Sequence, residues 1–346
     1  MKMKKIATFP ISCVTALLLF AGTATAEARS WRVNSDATKH AHFADINAAM
    51  SSSEVLDGDT LYLDPGCTLT ATQNVTKRVT VIGNGYLTDI AAFPCATISG
   101  ALYLKSIGCK IESTQITSTT YLCANNITIE RCKTSSVNYS GTAQYATIRQ
   151  CYIPNGQIKG AGTADVRTIG WTIENCIIIY TDNFDPVLKL FSPIIRNNYV
   201  RPNYSKGSAS LAYMTNAVAT NNVFINTKFI QNANPYEMTD CVIRNNVMHV
   251  EELKDTYPDN IYITSNTEEA VFALEGTNDQ LYTLKDGSPA IGAATDGGDC
   301  GPTGGLYPYV PSGFPFGMPH FQSSSISTRP QSGKVSVSQQ VIIQNQ

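Results

Sequence analysis

The sequence lacks an excess of basic residues. It contains 25 Lys and Arg against 27 Asp and Glu, which gives a net charge of −2 at pH 7. A protein that binds nucleic acid needs a basic face to neutralise phosphates. The composition therefore argues against nucleic acid as a partner.

A long apolar run is also missing. The run from Val14 to Ala21 is far shorter than the roughly 20 residues that cross a bilayer. It follows three lysines between Lys2 and Lys5 and precedes Ala24-Thr25-Ala26, which is the arrangement of a cleaved secretory signal. We therefore expect a signal peptide over residues 1–26, no membrane span, and export to the periplasm, the cell surface or the medium.

Seven segments of the chain end alike, at intervals of about 22 residues. Each has alternating apolar residues and then a polar two-residue corner, such as Arg196-Asn197 or Arg244-Asn245. Alternation turns one side of a short strand inward, and asparagine tolerates the left-handed backbone of a sharp bend. The final residues of the seven segments are Cys132, Cys151, Cys176, Asn198, Asn222, Asn246 and Asn266.

The same offset between strand and corner extends upstream. It recurs at Leu61-Tyr62-Leu63, Val79-Thr80-Val81 and Leu102-Tyr103-Leu104. The repeat predicts an all-β parallel β-helix, a solenoid of about ten coils over residues 60–285 that forms one elongated domain.

The shared end residues predict one internal column that changes from cysteine to asparagine. Cys132, Cys151 and Cys176 would stack about 4.8 Å apart. We favour a buried thiol ladder; disulfides between adjacent coils are the alternative, because that spacing suits a disulfide. Ten cysteines, with Cys13 inside the signal, leave an odd number and so at least one free thiol. The asparagines predict a ladder of amides that satisfy one another.

The ends of a solenoid expose apolar surface and strand edges, so they need covers. Phe43, Ile46, Ala49 and Met50 follow helical spacing and predict a helical cap within residues 27–59. We expect the Pro- and Gly-rich residues 286–321 to cover the last coil as an irregular segment. The Ser- and Gln-rich tail, residues 322–346, has one candidate strand from Val335 to Ile343.

Three stretches carry a resemblance to a known family. They are F-A-D-I-N-A-A-M with G-D-T-L-Y-L-D-P-G within residues 43–66, the I-x-x-N-N-x-V repeats, and residues 286–311. The chain resembles right-handed parallel β-helix proteins of the pectate-lyase-like superfamily, and in particular exported Bacteroidetes-type members. This resemblance is specific for fold and weak for activity, because the fold hosts many chemistries.

The resemblance implies a site on the outer side of one parallel sheet. A lyase there needs a base and often calcium held by acidic side chains, and a hydrolase needs carboxylates on neighbouring coils. The richest charged cluster offers Asp182, Asp185, Lys189 and Arg201 as candidate catalytic residues, with Lys189 as the base. No Asp-Asp pair or Arg-rich strand stands out, so a solvated loop face is the other interpretation.

Three functions remain open at this point. The first is a monomeric exported β-helix that contacts polysaccharide without catalysis and without a cofactor. The second is a lyase or hydrolase of acidic glycan, with calcium if it is a lyase. The third is an adhesive module that binds a protein through a flat apolar patch. Exposed tyrosines would favour glycan binding, and Tyr204 and Tyr213 are candidates.

Overall fold

The computed structural model describes residues 27–87, 94–162, 165–182, 185–203, 209–225, 238–249, 253–314, 319–326 and 337–343. The predicted signal peptide and Tyr204 lie outside these ranges. Within them, the chain forms no helix that combines the length and the apolar character needed to cross a membrane.

Ten parallel strands form the first face of a β-helix, one strand to each coil. In hydrogen-bonded order they are β1 (Ser30–Val33), β2 (Thr60–Leu63), β5 (Thr80–Ile82), β8 (Lys110–Glu112), β10 (Thr128–Glu130), β12 (Thr147–Arg149), β15 (Thr172–Glu174), β18 (Ile194–Arg196), β22 (Val218–Thr220) and β25 (Val242–Arg244). This is the predicted all-β parallel β-helix with about ten coils.

A fifteen-stranded sheet wraps around the other two faces. The second face contains β3 (Thr68–Leu69), β6 (Thr97–Ile98), the beginnings of β9 (Gln115–Leu122) and β11 (Lys133–Tyr139), β13 (Tyr152–Ile153), β16 (Ile177–Ile179), β19 (Tyr199–Arg201), β23 (Val223–Phe224), β26 (Val247–Met248) and β27 (Ile261–Tyr262). The third face contains β4 (Gln73–Val75), β7 (Leu102–Leu104), the ends of β9 and β11, β14 (Ile158–Lys159), β17 (Val187–Leu188) and β20 (Leu211–Ala212).

Two strand pairs lie outside these faces. A short parallel pair joins β21 (Met214–Thr215) to β24 (Met238–Thr239), and an antiparallel pair joins β28 (Pro319–Ile326) to β29 (Val337–Ile343). The late strand predicted near Val335 to Ile343 is therefore present. The face predicted for Leu102–Leu104 is wrong, because this strand pairs with β4 and β9 on the third face; Lys110–Glu112 is the first-face strand that follows it.

Inward side chains of the first face stack in register along the axis. The middle residues of neighbouring strands pair directly and are fully buried. They form an aliphatic row of Ile111, Ile129, Ile148, Ile173 and Ile195.

Each of these coils turns sharply after its first-face strand, through a residue with a left-handed backbone. As predicted, asparagine fills this position on the later coils, with φ of 53° at Asn197 and 55° at Asn245. We call this row the corner column; it contains Arg131, Gln150, Asn175, Asn197, Asn221 and Asn245.

The residue after each corner points inward, and on the later coils it forms the predicted amide ladder. Nδ2 donates to the next Oδ1 at 2.9 Å from Asn198 to Asn222, from Asn222 to Asn246, and from Asn246 to Asn260. Each receiving oxygen also accepts from the backbone N–H of the preceding ladder residue. The prediction that Asn266 ends the ladder is wrong, because the last coil is short: Val247 pairs with Ile261, which places Asn260 opposite Asn246.

On the earlier coils the same column holds thiols. Cys132, Cys151 and Cys176 are fully buried, and all the cysteines among the described residues are free. The predicted thiol ladder is confirmed and the disulfide alternative is not. Burial raises the pKa of Cys132 and Cys151 well above the usual thiol range, so these sulfurs stay protonated and unreactive.

The N-terminal cap is one short helix, α1 (Ile46–Ser51), which buries Ile46, Ala49 and Met50. Asp45 caps it by accepting from the N–H of Ala48 at 2.7 Å. Phe43 was predicted within the helix but lies before this cap, where it forms a parallel bridge with Val33. The residues assigned to the cap therefore also contain β1, the first strand of the β-helix.

Residues 286–321 were predicted to cover the last coil. The structure instead packs a longer segment, residues 268–314, along the outer side of the second face, and we call this segment the cover. Phe272, Tyr282 and Cys300 lie in one buried cluster with the outward side chains of that face. The second-face residues in this cluster are Tyr152, Ile177, Ile179, Tyr199, Val223, Ile225 and Val247. A strand that is apolar on both sides needs a partner on both sides.

Hydrogen bonds from the corner column fix the path of the cover. On successive coils, Asn221 Nδ2 donates to Thr295 Oγ1 at 3.2 Å, Asn197 Nδ2 to the carbonyl of Asp299 at 3.2 Å, and Asn175 Nδ2 to the carbonyl of Pro302 at 2.9 Å. Gln150 Nε2 reaches the carbonyl of Pro308 at 2.5 Å. The cover thus runs back toward the N-terminal coils.

The far end of the cover docks on Tyr86. The Tyr86 and Tyr309 hydroxyls lie 2.5 Å apart, and Tyr309 donates to Asp279 Oδ2 at 2.8 Å. The N–H of Ser312 donates to the same oxygen at 2.7 Å, whereas the buried Asp279 Oδ1 has no hydrogen-bond partner among the described residues. Burial raises the pKa of Asp279 more than these hydrogen bonds lower it.

Loss of one ladder amide should destabilise the whole fold. Asn222→Ala removes the acceptor for Asn198 and the donor to Asn246, and two to three buried groups without partners cost about 2–6 kcal/mol. Urea unfolding measures this loss. The matched control is Asn266→Ala at an exposed position, which should change stability by less than about 0.5 kcal/mol. Equal effects of the two variants would contradict the ladder.

The buried Asp279 should make the stability of the cover depend on pH. Because its pKa is raised in the folded state, its favourable contribution is present below the unfolded pKa and is lost as pH rises through the folded pKa. Between about pH 4 and pH 7 the wild type should therefore lose stability relative to Asp279→Asn. Thermal melts of both proteins across that range test it. The exposed Asp286→Asn serves as control and should follow the wild type.

Candidate functional site

The four predicted catalytic residues occupy different environments. Asp182 is exposed, whereas Asp185 is buried and its Oδ1 accepts from the N–H of Ala209 at 2.7 Å. Burial raises the pKa of Asp185. This carboxylate therefore holds a loop in place, and its catalytic role stays a prediction.

Lys189 and Arg201 lie on different faces. Lys189 follows β17 on the third face, half-buried, with a left-handed backbone (φ 61°). Arg201 ends β19 on the second face, where it forms an ion pair with Glu268 of the cover at 3.4 Å. Glu268 also accepts from the Tyr199 hydroxyl at 2.5 Å. Arg201 thus anchors the cover, whereas Lys189 and Asp185 flank the third-face strand β17.

The part of the chain that the structure describes holds no group of three or more His, Cys, Asp or Glu side chains placed to bind a metal. A calcium site stays a prediction that belongs to the lyase hypothesis.

The largest charged cluster lies on the first face, and sequence reasoning missed it. The last residue of each strand points outward beside the corner column, so charges of neighbouring coils meet. We call this row, with two flanking cations, the ion-pair ladder; it contains Lys110, Glu112, Glu130, Arg131, Arg149, Glu174 and Arg196.

In this ladder, each of the two carboxylate oxygens of a glutamate faces a cation. Lys110 Nζ lies 2.7 Å from Glu112 and 2.7 Å from Glu130, and Arg131 bridges the same two glutamates. Burial alone would raise the pKa of Glu130, but its bond from Lys110 and the charges of Arg131 and Arg149 lower it overall. A carboxylate held ionised by several cations is a poor general acid or base at neutral pH. The ladder is therefore structural, although Glu112 and Glu130 lie on neighbouring coils, as the carboxylates of a hydrolase would.

The cover completes the ion-pair ladder. The Arg149 guanidinium stacks 4.0 Å from the ring centre of Tyr307, which shields it from solvent on one side. This cation–π contact and the hydrogen bonds of the corner column both hold the cover against the first face.

The third face has a different character, because its outward side chains remain accessible. Tyr103 of β7 and Tyr121 of β9 stack with ring centres 4.6 Å apart and planes inclined by 13°. The rings are neighbours because their strands pair in register. Asn74 precedes them and Asn138 follows them in the same outward row.

Two lysines lie on the same face as this tyrosine pair. Lys105 Nζ lies 5.3 Å from the centre of the Tyr103 ring, and Lys159 continues the outward row after Asn138. Strands β4, β7, β9, β11 and β14 contain no Asp or Glu. We call this surface the tyrosine face; it contains Asn74, Tyr103, Lys105, Tyr121, Asn138 and Lys159.

The aromatic residues named from the sequence are not the ones that form this face. Tyr204 lies outside the described residues. Tyr213 is half-buried and packs against the small cluster of Leu188, Ala209 and Ala212. The apolar neighbours of Tyr103 and Tyr121, Leu102-x-Leu104 and Leu122, place both rings outward, but only the register between the strands shows that they meet.

Removal of Arg131 should test whether the ion-pair ladder is structural. Arg131→Met removes one of the two cations that Glu112 and Glu130 share and leaves only Lys110 between these buried carboxylates, which costs up to about 3–5 kcal/mol at pH 7. Because the charge of Arg131 helps to lower the pKa of Glu130, urea unfolding should show a smaller loss as the pH falls into the acidic range. The matched control Arg167→Met breaks an exposed pair with Asp165 and should cost at most about 1 kcal/mol. Similar losses for both variants would refute a structural role.

The comparisons with known proteins concern fold. No family model and no curated protein matches the sequence. Among solved structures, pectate lyase Pel9A is similar, with a TM-score of 0.45 and 13% identity over 79% of this chain and 96% of its own. Pectate lyase Bsp165PelA from Bacillus sp. N165, solved in complex with trigalacturonate, has a TM-score of 0.40 and 11% identity over 76% of this chain and 90% of its own. The strand order shows the architecture independently of these comparisons: the chain forms a parallel β-helix.

Proposed function

We propose that this protein is an exported β-helix that binds acidic polysaccharide on its tyrosine face, without catalysis. The observation that carries the proposal is the stacked Tyr103–Tyr121 pair on an open sheet that has lysines and no carboxylates. The flanking amides, the length and the charge of the tyrosine face also support the proposal.

A tyrosine ring is an apolar plate with a polar tip, which suits the mixed surface of a sugar ring. The half-buried side chains of Asn74 and Asn138 lie on either side of the pair, and Asn74 keeps its Oδ1 as an acceptor while its Nδ2 donates to Asn47 Oδ1 at 3.2 Å. Glycan recognition needs this combination of a flat apolar surface and nearby amides.

The length of the face favours a polymer over a single sugar. Five strands contribute to it, and their spacing of about 4.8 Å gives a row roughly 19 Å long. An extended oligosaccharide can follow such a row and contact several coils.

The charge of the face favours an anionic glycan. Lys105 is exposed and Lys159 half-exposed, and the face itself has no Asp or Glu to neutralise them. Uronate or sulfate groups would supply the missing charge. Such pairs lie near solvent, so binding should weaken as salt increases.

One observation favours an enzymatic alternative. β17 pairs with β14 so that Leu188 lies opposite Lys159 on the next coil. Lys189 comes directly after Leu188 and therefore lies at the rim of the tyrosine face. A polysaccharide lyase would use Lys189 as the base that takes a proton beside a bound uronate.

Binding should depend on the tyrosine pair. Tyr103→Ala and Tyr121→Ala should each weaken affinity for polygalacturonate, alginate or a glycosaminoglycan by roughly 2- to 10-fold, as expected for loss of one aromatic contact. Isothermal titration calorimetry on the chain from Glu27 measures this. The matched control, Tyr62→Ala on the first face, should bind like wild type.

The same samples separate binding from catalysis. An absorbance increase in the near ultraviolet, with or without calcium, that disappears in Lys189→Ala would replace the binding proposal with the lyase. No affinity for any of the three glycans would refute both functions.

A further inference from the structure

The first face carries an exposed apolar surface that neither the cover nor the tyrosine face uses. Ile194, Val218 and Val242 begin β18, β22 and β25 and stack in register on the outside of the sheet. Their exposed fractions are 42%, 38% and 48%. Three large aliphatic side chains in one exposed row are unusual for a solvent-facing strand position, where polar residues normally alternate with buried ones.

Two further exposed apolar side chains lie before the first-face strands of the preceding coils, Tyr145 before β12 and Val166 before β15. Tyr145 is 55% exposed and Val166 57% exposed. Tyr145 lies over Gly170 of the next coil, where a Cβ would come within 2.7 Å of its ring. Gly170 leads into β15, whose first residue pairs with Ile194. We call the five residues together the apolar patch: Tyr145, Val166, Ile194, Val218 and Val242.

The patch spans five consecutive coils, which is about 19 Å along the axis. Contiguous exposed apolar surface on this scale marks a contact site more often than chance exposure does. By contrast, the same outward row is polar on the earlier coils, where it contains Thr60, Thr80, Lys110, Thr128, Thr147 and Thr172.

The neighbouring outward row defines the charge of the partner. It contains Arg196, Thr220 and Arg244 on the three coils of the aliphatic row. Glu174, which is almost fully buried, neutralises Arg196 from one side, but the Arg196 side chain remains 41% exposed. Arg244 is exposed and has no acidic partner among the described residues. The edge of the patch is therefore positive.

We propose that the apolar patch binds an extended segment of another protein whose apolar side chains alternate with carboxylates. The apolar side chains would cover Ile194, Val218 and Val242, and the carboxylates would pair with Arg196 and Arg244. A second copy of this chain fits less well, because its own arginine row would meet the first. The patch also lacks the stacked ring pair and the flanking amide side chains of the tyrosine face, so this inference does not rest on the polysaccharide proposal.

A random peptide library displayed on phage tests the proposal with the chain from Glu27 as bait. Enriched peptides should alternate apolar residues with Asp or Glu. As synthetic peptides they should lose about tenfold or more in affinity for Val218→Lys or Val242→Lys, because a charge then replaces an apolar contact at the centre of the site. Arg244→Glu should also weaken binding, and the remaining affinity should be less sensitive to salt.

The matched control is Thr128→Lys, which adds the same charge to the same outward row three coils before the aliphatic row. It should bind the peptides like wild type. Circular dichroism melts confirm that each variant is folded before its affinity is interpreted.

Three outcomes overturn the proposal. The first is an enriched set with no acidic preference, and the second is binding that Val218→Lys and Val242→Lys leave unchanged. The third is sedimentation that shows a wild-type dimer lost in Val218→Lys, which would assign the patch to a second copy of the chain.

Discussion

The sharp corner at the end of each first-face strand is the constraint on which the structure depends. The chain must turn from the first face onto the second within two residues, and such a turn interrupts the backbone pairing of the strands. On the inner side, amides and thiols at one position satisfy them, as Asn198 does by bonding to Asn222 and to the carbonyl of Arg196. On the outer side, corner amides such as Asn175 and Asn197 bond to the cover instead. One corner therefore supports both the interior of the solenoid and its lateral covering.

The polar surfaces of the three faces differ in whether their groups have internal partners. In the ion-pair ladder, Glu112, Glu130 and Glu174 each contact a cation of the same or a neighbouring coil, so these carboxylates have little capacity left for a ligand. On the tyrosine face, Lys105 and Lys159 have no such carboxylate on the face. This difference, rather than the number of charged residues, distinguishes a surface that stabilises the fold from one that is available to a ligand.

The repeat could be predicted from the sequence because every coil contains the same short pattern. The alternation and the residue after the corner lie close together in each coil, and the distance from one such pattern to the next gives the period. The face to which a strand belongs is not local: Leu102–Leu104 has the same pattern as a first-face strand but pairs with β4 and β9. The Asn266 assignment failed for a related reason, since the pattern cannot show that the final coil is short.

The candidate sites were harder to predict than the fold, because they join residues of different coils. The stacking of Tyr103 on Tyr121 depends on register, and the ion-pair ladder depends on Glu130, Arg149 and Glu174 sharing the position before the corner. The run Cys176-Ile177-Ile178-Ile179 did contain a signal for the cover, because it is apolar on both sides. A strand of that kind must be buried twice.

The path of the cover has a consequence for how the chain folds. A solenoid whose coils contact only their neighbours can lose its end coils one at a time. Here the hydroxyls of Tyr86 and Tyr309 meet across 223 residues of sequence, and the cover touches most coils between them. The cover can dock only after those coils have formed, so the chain closes its longest loop last. Its coils are thereby coupled into one cooperative unit, with folding slow and partial unraveling from either end suppressed.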